Sequence, residues 1–459
     1  MINEVVKKSD NGLTQGPIAV TLLRFSWPLL VTLTLHNITG SWNAAWVSLV
    51  LGPSELVAVV NANVLLGIFM AFVSGFGIAA GIFVGQAIGA ADIETARKVV
   101  GSAISFAIAA GMLTTIVCFL FVESVIDFLQ MPEEIRENAI IYFQIFSLSL
   151  PTLFVFIFST MLLRSAGDAR TPFIFSIIWI VLGFALTPLL LTGVFGLPRF
   201  GIAGAAMSGW IANTVALVAM YIYIYRKNLP LALRRESLHY LRPNKSLLWQ
   251  LAKRAIPSGA ETWAIHGAYF VLLSIVNAQG VIIASGFAAA AQLWGYVMLP
   301  TFAIAGSMST MAAQNIGANQ WGRIDRIALQ GCMLAVLSTT SMAVVVYSSG
   351  KLLLTLFLQE GSEALQAALD VNAVVLWAWP MIAISYGLFG IIRANGVMLP
   401  SVIIFALTMW GVRLPFAYFM QTKLGAAAIW WSFPVATLSA ALLTFTYYRW
   451  GKWRQQTLL

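Results

Sequence analysis

The sequence predicts an all-α polytopic membrane protein, with twelve transmembrane helices in two parallel six-helix repeats. The chain of 459 residues is 60% hydrophobic and only 9% charged, whereas soluble domains carry about 25% charged residues. Apolar runs of about 20 residues, long enough to cross a bilayer as a helix, recur from end to end. Short motifs of the first half also return in the second.

The apolar runs lack the alternation of lumen-facing and lipid-facing residues that a membrane β-barrel shows. Each is therefore predicted to be a helix. In chain order the twelve predicted spans are 25–50, 57–84, 101–122, 139–163, 173–195, 203–225, 254–277, 283–312, 329–349, 371–392, 401–421 and 427–449.

The two halves repeat one another with an offset of 228 or 229 residues. Gln-x-Ile-Gly-Ala occurs at 86–90 and again at 314–318. Four further pairs share this register: Pro28 with Pro257, Pro151 with Pro380, Arg164 with Arg393, and Gly167 with Gly396. Six spans return the chain to its starting side, so both halves insert in the same sense and enclose a cavity between them, an arrangement typical of transporters. We expect lobes at 1–225 and 254–459, joined by a basic linker at 226–253.

The distribution of basic residues predicts the orientation, because cytoplasmic loops carry an excess of Lys and Arg. If the amino terminus is cytoplasmic, most of the 26 Lys and Arg residues fall on that side, including Lys7, Lys8, Arg234 and Arg235. The opposite side then holds only Arg136, Arg199, Lys351 and Lys423. Both termini are therefore expected in the cytoplasm.

Charge and cysteine content exclude several classes of protein. The net charge of +9 lies on loops beside the membrane, where it meets anionic lipid headgroups, so we expect no nucleic-acid partner. The two cysteines lie in apolar spans and form no metal pair. The spans also hold too few His, Asp and Glu for an intramembrane enzyme. We expect neither a cofactor nor a metal site, and a monomer that binds a small-molecule substrate.

Four loop motifs carry a family resemblance. They are GQAIGAADIETARK at 85–98, LRSAGDARTP at 163–172, GLPRFGIAGAA at 196–206 and VRLPFAYFM at 412–420. In this order they resemble the multidrug and toxic compound extrusion (MATE) family, nearest its DinF-like branch, whereas GAADIETARK does not fit the corresponding loop of major facilitator transporters. The resemblance implies a secondary active exporter, an antiporter of organic cations, drugs or a secreted metabolite, in a bacterial cytoplasmic membrane. The alternative is a flippase for a lipid-linked precursor.

The resemblance also implies where coupling ions would bind, and this chain departs from the pattern. Asn43 stands where many bacterial relatives have an aspartate in helix one, and Gly183 and Thr187 replace an Asn and an Asp in helix five. Ile265 and Ile382 occupy the acidic positions of helices seven and ten. The usual coupling groups are therefore largely replaced.

Glu261 is the only acid inside a predicted span, and a charged residue there is a functional candidate by default. We expect it to exchange a proton against substrate, with Na⁺ as the alternative coupling ion; the competing interpretation is a carboxylate at a helix end. Histidine as a residue type titrates near neutral pH, so His36 and His266, with Asn43, complete the ion-coupling candidates.

Aromatic rings can line a cavity for flat cationic solutes through cation–π contacts. The substrate-cavity candidates are Trp42, Trp46, Thr187, Trp263, Trp294 and Trp377. Packing and interfacial anchoring explain these tryptophans equally well.

The repeated Gly and Arg residues are expected to end helices. Gly89, Gly167, Gly317 and Gly396 would take the positive φ that ends a helix at low cost. Arg164 and Arg393 would cap the last carbonyls of their helices.

Overall fold

The protein is described by a computed structural model that covers residues 13–128, 133–196, 198–233 and 235–455. Within these ranges every regular element is helical, which confirms the predicted all-α class. Lys7, Lys8 and Arg234, which contributed to the predicted orientation, lie outside the described residues. The first half contains α1 (Ile18–Leu51), α2 (Pro53–Gly89), α3 (Ile93–Leu120), α4 (Val122–Phe128), α5 (Glu133–Ser165), α6 (Arg170–Thr192) and α7 (Ile202–Arg226).

The second half repeats this plan with more interruptions. Its helices are α8 (Lys245–Asn277), α9 (Val281–Gly317), α10 (Trp321–Ser348), α11 (Gly350–Leu354), α12 (Glu363–Val375), α13 (Trp379–Ala394), α14 (Leu399–Ala406), α15 (Leu414–Phe419), α16 (Gln421–Leu424) and α17 (Ala427–Trp450). A 3₁₀ turn at Leu376–Ala378 joins α12 to α13, and a π turn at Leu407–Arg413 joins α14 to α15. Each pair forms one broken membrane helix.

Eleven helices among the described residues are long and apolar enough to cross a membrane. The predicted second span falls within α2, whose described stretch Val73–Gly89 is also apolar. All twelve predicted spans therefore coincide with helices. Several helices begin well before the predicted limits, such as α1 at Ile18 and α10 at Trp321, whereas α3 and α6 end at Leu120 and Thr192, short of the predicted limits.

The turns that end the helices repeat in register. Ala91 has φ 59° and Asn319 has φ 57°, and both follow the Gln-x-Ile-Gly-Ala motif by one residue. Gly167 and Gly396, which end α5 and α13, have φ 96° and 77°. The predicted positive φ is therefore correct for this second pair.

The same expectation is wrong for Gly89 and Gly317, which are the last residues of α2 and α9 and are not among the positive-φ glycines. The left-handed residue comes two positions later, where Asp92 N donates to Ala87 O at 2.8 Å and Gln320 N donates to Asn315 O at 2.8 Å. These bonds close the helix end with Ala or Asn in the left-handed region.

The chain divides into two compact units, one of Val31–Ala255 and one of Ile256–Leu459 together with the described part of Asp10–Leu30. The expected lobe 1–225 therefore differs from the structure at its start. Leu13, Ile18 and Leu22 are buried within the core of the second unit. Asn315 Nδ2 also donates to Leu13 O at 2.8 Å. Apolar burial and this hydrogen bond explain why the segment belongs to the second unit.

The linker at 226–253 packs on the first unit. Arg97 Nε of α3 donates to Pro230 O at 2.9 Å, and Ser105 Oγ donates to Leu241 O at 2.5 Å. These side chains satisfy linker carbonyls that regular secondary structure does not satisfy.

Helix α9 supplies the centre of the second unit. Its Phe287 and Met308 are fully buried and its Trp294 is 4% exposed. Around Phe287 lie the rings of Trp294, Trp430 and Phe433, at centroid distances of 5.2, 5.9 and 6.2 Å. This aromatic core contacts both broken helices described above.

Candidate functional site

A buried ion pair joins three segments of the second unit. Arg393 Nη2 donates to Glu261 Oε1 at 2.6 Å and to Oε2 at 2.8 Å. Ser401 Oγ donates to Glu261 Oε2 at 2.6 Å. The side chains of Arg393 and Glu261 are 14% and 7% exposed. Charge-assisted hydrogen bonds of this length are among the strongest in proteins, so the Glu261 side chain is held firmly between Arg393 and Ser401.

The local sequence places these three residues side by side. Glu261 lies one turn after Pro257 in α8, and Arg393 lies in the last turn of α13. Gly396 N donates to Arg393 O at 2.7 Å and turns the chain at φ 77°, after which α14 begins with Ser401 in its first turn. Glu261 thus connects α8 to the turn between α13 and α14.

This geometry corrects the expected role of Arg393. Its guanidinium donates to Glu261 rather than to the last carbonyls of α13, and its Nε has no hydrogen-bond partner among the described residues. Glu261 itself lies in the middle of α8 (Lys245–Asn277) rather than at a helix end. Its carboxylate binds Arg393 in the last turn of another helix, α13.

The two histidines occupy different surroundings. His36 packs edge-on against Trp179, with ring centroids 4.7 Å apart, inside the first unit. His266 is exposed, and its Nδ1 lies 2.8 Å from Thr262 O of the preceding turn. The structure brings neither histidine to the Glu261–Arg393 pair by any hydrogen bond among the described residues. Their part in coupling stays a prediction.

The candidates in the first unit mostly contact other residues of the same unit. Trp42 Nε1 donates to Phe184 O at 3.2 Å, and its ring lies 5.8 Å from that of Trp46. The Thr187 hydroxyl lies 3.0 Å from that of Ser208. The Asn43 Oδ1 atom is buried without a hydrogen-bond partner among the described residues. Asn43 alone of these four keeps a buried acceptor available for a bound cation.

The second-unit tryptophans fall into two groups. Trp263 and Trp377 are 62% and 41% exposed, so neither belongs to the core of the unit. Trp294 is buried, and its Nε1 donates to Asn372 Oδ1 at 2.8 Å. A substrate-lining role for these residues remains a prediction.

Sequence reasoning missed a buried carboxylate in the first unit. Glu55 lies in the first turn of α2, two residues before the predicted span, and is 9% exposed. Asn138 Nδ2 donates to its Oε1 at 2.6 Å. A helix amino terminus favours a negative charge, and the Gly52-Pro53 start signal was the clue that the helix begins there.

Arg413 lies within the predicted span 401–421, and no role was predicted for it. In the structure it is 7% exposed, and its guanidinium lies 3.6 Å from the centroid of the Phe433 ring. As to metals, no group of three or more His, Cys, Asp or Glu side chains converges within the described ranges.

Comparison with known proteins places this geometry in a family. The MatE family model matches residues 28–189 and 257–419, once in each half of the chain. The chain is 27% identical to the probable multidrug resistance protein YoeA of Bacillus subtilis, over 93% of this chain and 92% of that protein. It is 28% identical to the probable multidrug resistance protein YpnP of the same organism, over 97% and 98% of the two chains.

The fold is also that of solved transporters. A structure described as the outward-facing conformation of a multidrug resistance MATE family transporter of the MOP superfamily superposes with a TM-score of 0.84. It is 18% identical and covers 95% of this chain and 96% of that one. The apolar helices and the family match in both halves identify a multi-pass membrane transporter built of two repeats. It belongs to the MATE family, as its loop motifs predicted.

Proposed function

We propose that this protein is a secondary active exporter of small drug-like organic molecules, acting as a monomer in the bacterial cytoplasmic membrane with both termini inside. The observation that carries the proposal is the family match in both halves of the chain. The two Bacillus subtilis relatives are named as probable multidrug resistance proteins and match over nearly their whole length. None of these matches supports the alternative of a flippase for a lipid-linked precursor.

The export test compares cells that overproduce the protein with cells that carry an empty vector, in a strain without its own broad-range pumps. Accumulation of a cationic, a zwitterionic and an anionic dye is followed by fluorescence. Lower accumulation of at least one dye, reversed when the proton gradient is collapsed with an uncoupler, supports export. Equal accumulation of all three would count against it.

We further propose that protons drive export through Glu261. An antiporter needs a group whose occupancy by the driving ion changes the affinity for cargo. Protonation of Glu261 removes the negative charge that holds Arg393 and Ser401. The turn that carries Gly396 then loses its connection to α8. A proton thereby alters the position of α14, and with it the broken helix that ends in α15.

Substitution at the pair separates coupling from stability. Glu261→Gln leaves Arg393 buried without its carboxylate, which costs about 3–5 kcal/mol when a buried pair loses one partner. Glu261→Gln combined with Arg393→Gln removes both charges and should regain much of that stability. We expect both variants to lose proton-driven export, measured beside thermal unfolding of the purified proteins.

The double variant is the decisive control because we expect it to fold and it carries no charge at this site. If it exports dye as well as the unmodified protein does, the pair is a structural clamp and coupling lies elsewhere. A Glu261→Gln protein that is folded and fully active would lead to the same conclusion.

A further inference from the structure

Arg413 is a buried cation without a carboxylate partner among the described residues. It is the last residue of the π turn Leu407–Arg413 and lies six residues before the end of α15. Its Nε and Nη2 atoms have no hydrogen-bond partner within the described part of the chain, and Nη1 only approaches Met409 Sδ at 3.8 Å. Burying an unpaired charge is costly, so a partner for this guanidinium is needed.

Two carboxylates of the same unit are already engaged. Glu261 accepts from Arg393 and Ser401. Asp325 accepts from Tyr448 and Arg454. The Phe433 face in contact with Arg413 supplies a cation–π attraction but no hydrogen-bond acceptor for the two free guanidinium nitrogens.

Two further buried donors lie in the same cluster. Trp294 Nε1 donates to Asn372 Oδ1, and because an indole N–H can only donate, this bond fixes which way the amide faces. Asn372 Nδ2 is then left as a buried donor without a partner in the described ranges, as is Trp379 Nε1. Asn372 itself is 2% exposed.

The aromatic core brings these donors together. The centroid of the Phe433 ring lies 3.6 Å from the Arg413 guanidinium, 5.2 Å from the Trp294 ring and 6.1 Å from the Trp379 ring. The Trp294 and Trp379 rings are 5.8 Å apart. Arg413 therefore contacts Phe433, Asn372 contacts Trp294, and the Trp379 ring lies beside both of these rings.

The two broken helices that carry these donors depart from regular α-helix close to Trp379 and Arg413. Trp379 follows directly after the 3₁₀ turn at Leu376–Ala378, and Arg413 ends the π turn. Such turns inside membrane helices frequently mark functional sites, and broken helices form the binding sites of many transporters. The irregularity therefore coincides with the donor cluster.

We propose that Arg413, Trp379 and Asn372 bind the carboxylate of an aromatic small molecule. A guanidinium presents a planar fork that matches the two oxygens of a carboxylate, and the indole and amide N–H groups add single hydrogen bonds. The surrounding rings pack against the apolar body of the same molecule. This proposal rests on the proposed export function, because it names a chemical class of cargo.

The binding test uses isothermal titration calorimetry on the purified full-length protein in detergent, without any ion gradient. The probes are 2-naphthoate, the neutral 2-naphthamide of nearly the same shape, and sodium chloride. We expect 2-naphthoate to bind at least tenfold more tightly than 2-naphthamide. Equal binding of the two naphthalenes would overturn the proposal, as would a site filled by chloride at which 2-naphthoate does not compete.

Variants locate the binding to this cluster. Arg413→Gln and Asn372→Asp should each weaken 2-naphthoate binding at least tenfold, and Arg413→Lys should weaken it less because the charge remains. Asn372→Asp retains the acceptor for Trp294 and replaces the free donor by a carboxylate oxygen, whose negative charge also repels a bound carboxylate. Lys423→Gln removes the same charge from an exposed position and should bind as the unmodified protein does.

Trp379→Phe keeps the test valid if Arg413→Gln does not fold. Should the folded members of this set all bind 2-naphthoate like the unmodified protein, the cluster is a packing feature and the proposal fails. Because binding is measured without transport, that result leaves proton-driven export standing. A loss of export with intact binding would instead count against the proposed function alone.

Discussion

Asp92 fixes the start of α3 by accepting a hydrogen bond from Thr95 N at 2.9 Å. Hydrogen bonds from Thr95 also hold the pKa of Asp92 below its usual value of 3.8. Because the folded pKa is lower than the unfolded one, the cap stabilises the protein above the unfolded pKa. That contribution is lost as the pH falls through the folded pKa.

Replacement of this cap should be measurable. We expect Asp92→Ala to lower the free energy of unfolding by about 1 kcal/mol at neutral pH, and Asp92→Asn to lower it less because an Asn also caps. The difference between Asp92 and Ala should shrink as the pH falls below 3.8, in thermal unfolding of the detergent-purified protein. A difference that does not change with pH would show that the side chain contributes nothing as a carboxylate.

The sequence singles out Glu261 because a charge stands out in an apolar run, but it does not reveal the partner of that charge. Arg393 lies 132 residues away and looks like a helix cap, since its own helix ends there. The environment of Arg413 is equally hidden. Only the packing of the helices shows that its guanidinium contacts the Phe433 ring and, among the described residues, hydrogen-bonds no carboxylate.

Two helices of the first unit pack so closely that one position has no room for a side chain larger than that of glycine. A Cβ on Gly111 of α3 would lie 2.5 Å from Pro151 Cα of α5, so the two backbones touch there. Gly209 of α7 has nothing within 4 Å of the same position. These two glycines therefore form a matched pair within the first unit.

Alanine should act in opposite directions at the two positions. Gly111→Ala must push the helices apart, and overpacking costs about 1–3 kcal/mol. Gly209→Ala should be neutral or stabilise by up to about 1 kcal/mol, because Ala favours the helix over Gly. Thermal unfolding of the purified variants measures both changes. If Gly111→Ala unfolds at the same temperature as Gly209→Ala, the close contact between α3 and α5 is not real.

The positions of the membrane helices were predictable because the length of an apolar run is read directly from the sequence. The residues at which helices end, and the turns that follow them, were not predictable in this way. The ends of α2 and α9 extend to Gly89 and Gly317 and close two residues later, at Ala91 and Asn319. Hydrogen bonds across the turn, rather than glycine, stabilise the left-handed residue there. The repeat of this turn in both halves was visible in the Gln-x-Ile-Gly-Ala motif.

The orientation of the whole chain is testable by labelling. In a background with Cys118→Ser and Cys332→Ala, single cysteines are introduced at two exposed positions, Leu238 in the linker and Gln359 between α11 and α12. We expect a membrane-impermeant maleimide to label Gln359→Cys in intact cells and Leu238→Cys only after permeabilisation. Labelling in the reverse pattern would place both termini outside.

Proton-driven export is tested by following the interior pH of proteoliposomes that contain the purified protein, with a trapped pH-sensitive dye. Ethidium, 2-naphthoate and a zwitterionic quinolone drug are added to vesicles that hold either a proton gradient or a Na⁺ gradient. At least one of these solutes should dissipate the proton gradient with the unmodified protein but not with Glu261→Gln combined with Arg393→Gln. Dissipation of the Na⁺ gradient alone, or equal dissipation of the proton gradient by both proteins, would contradict proton coupling through Glu261.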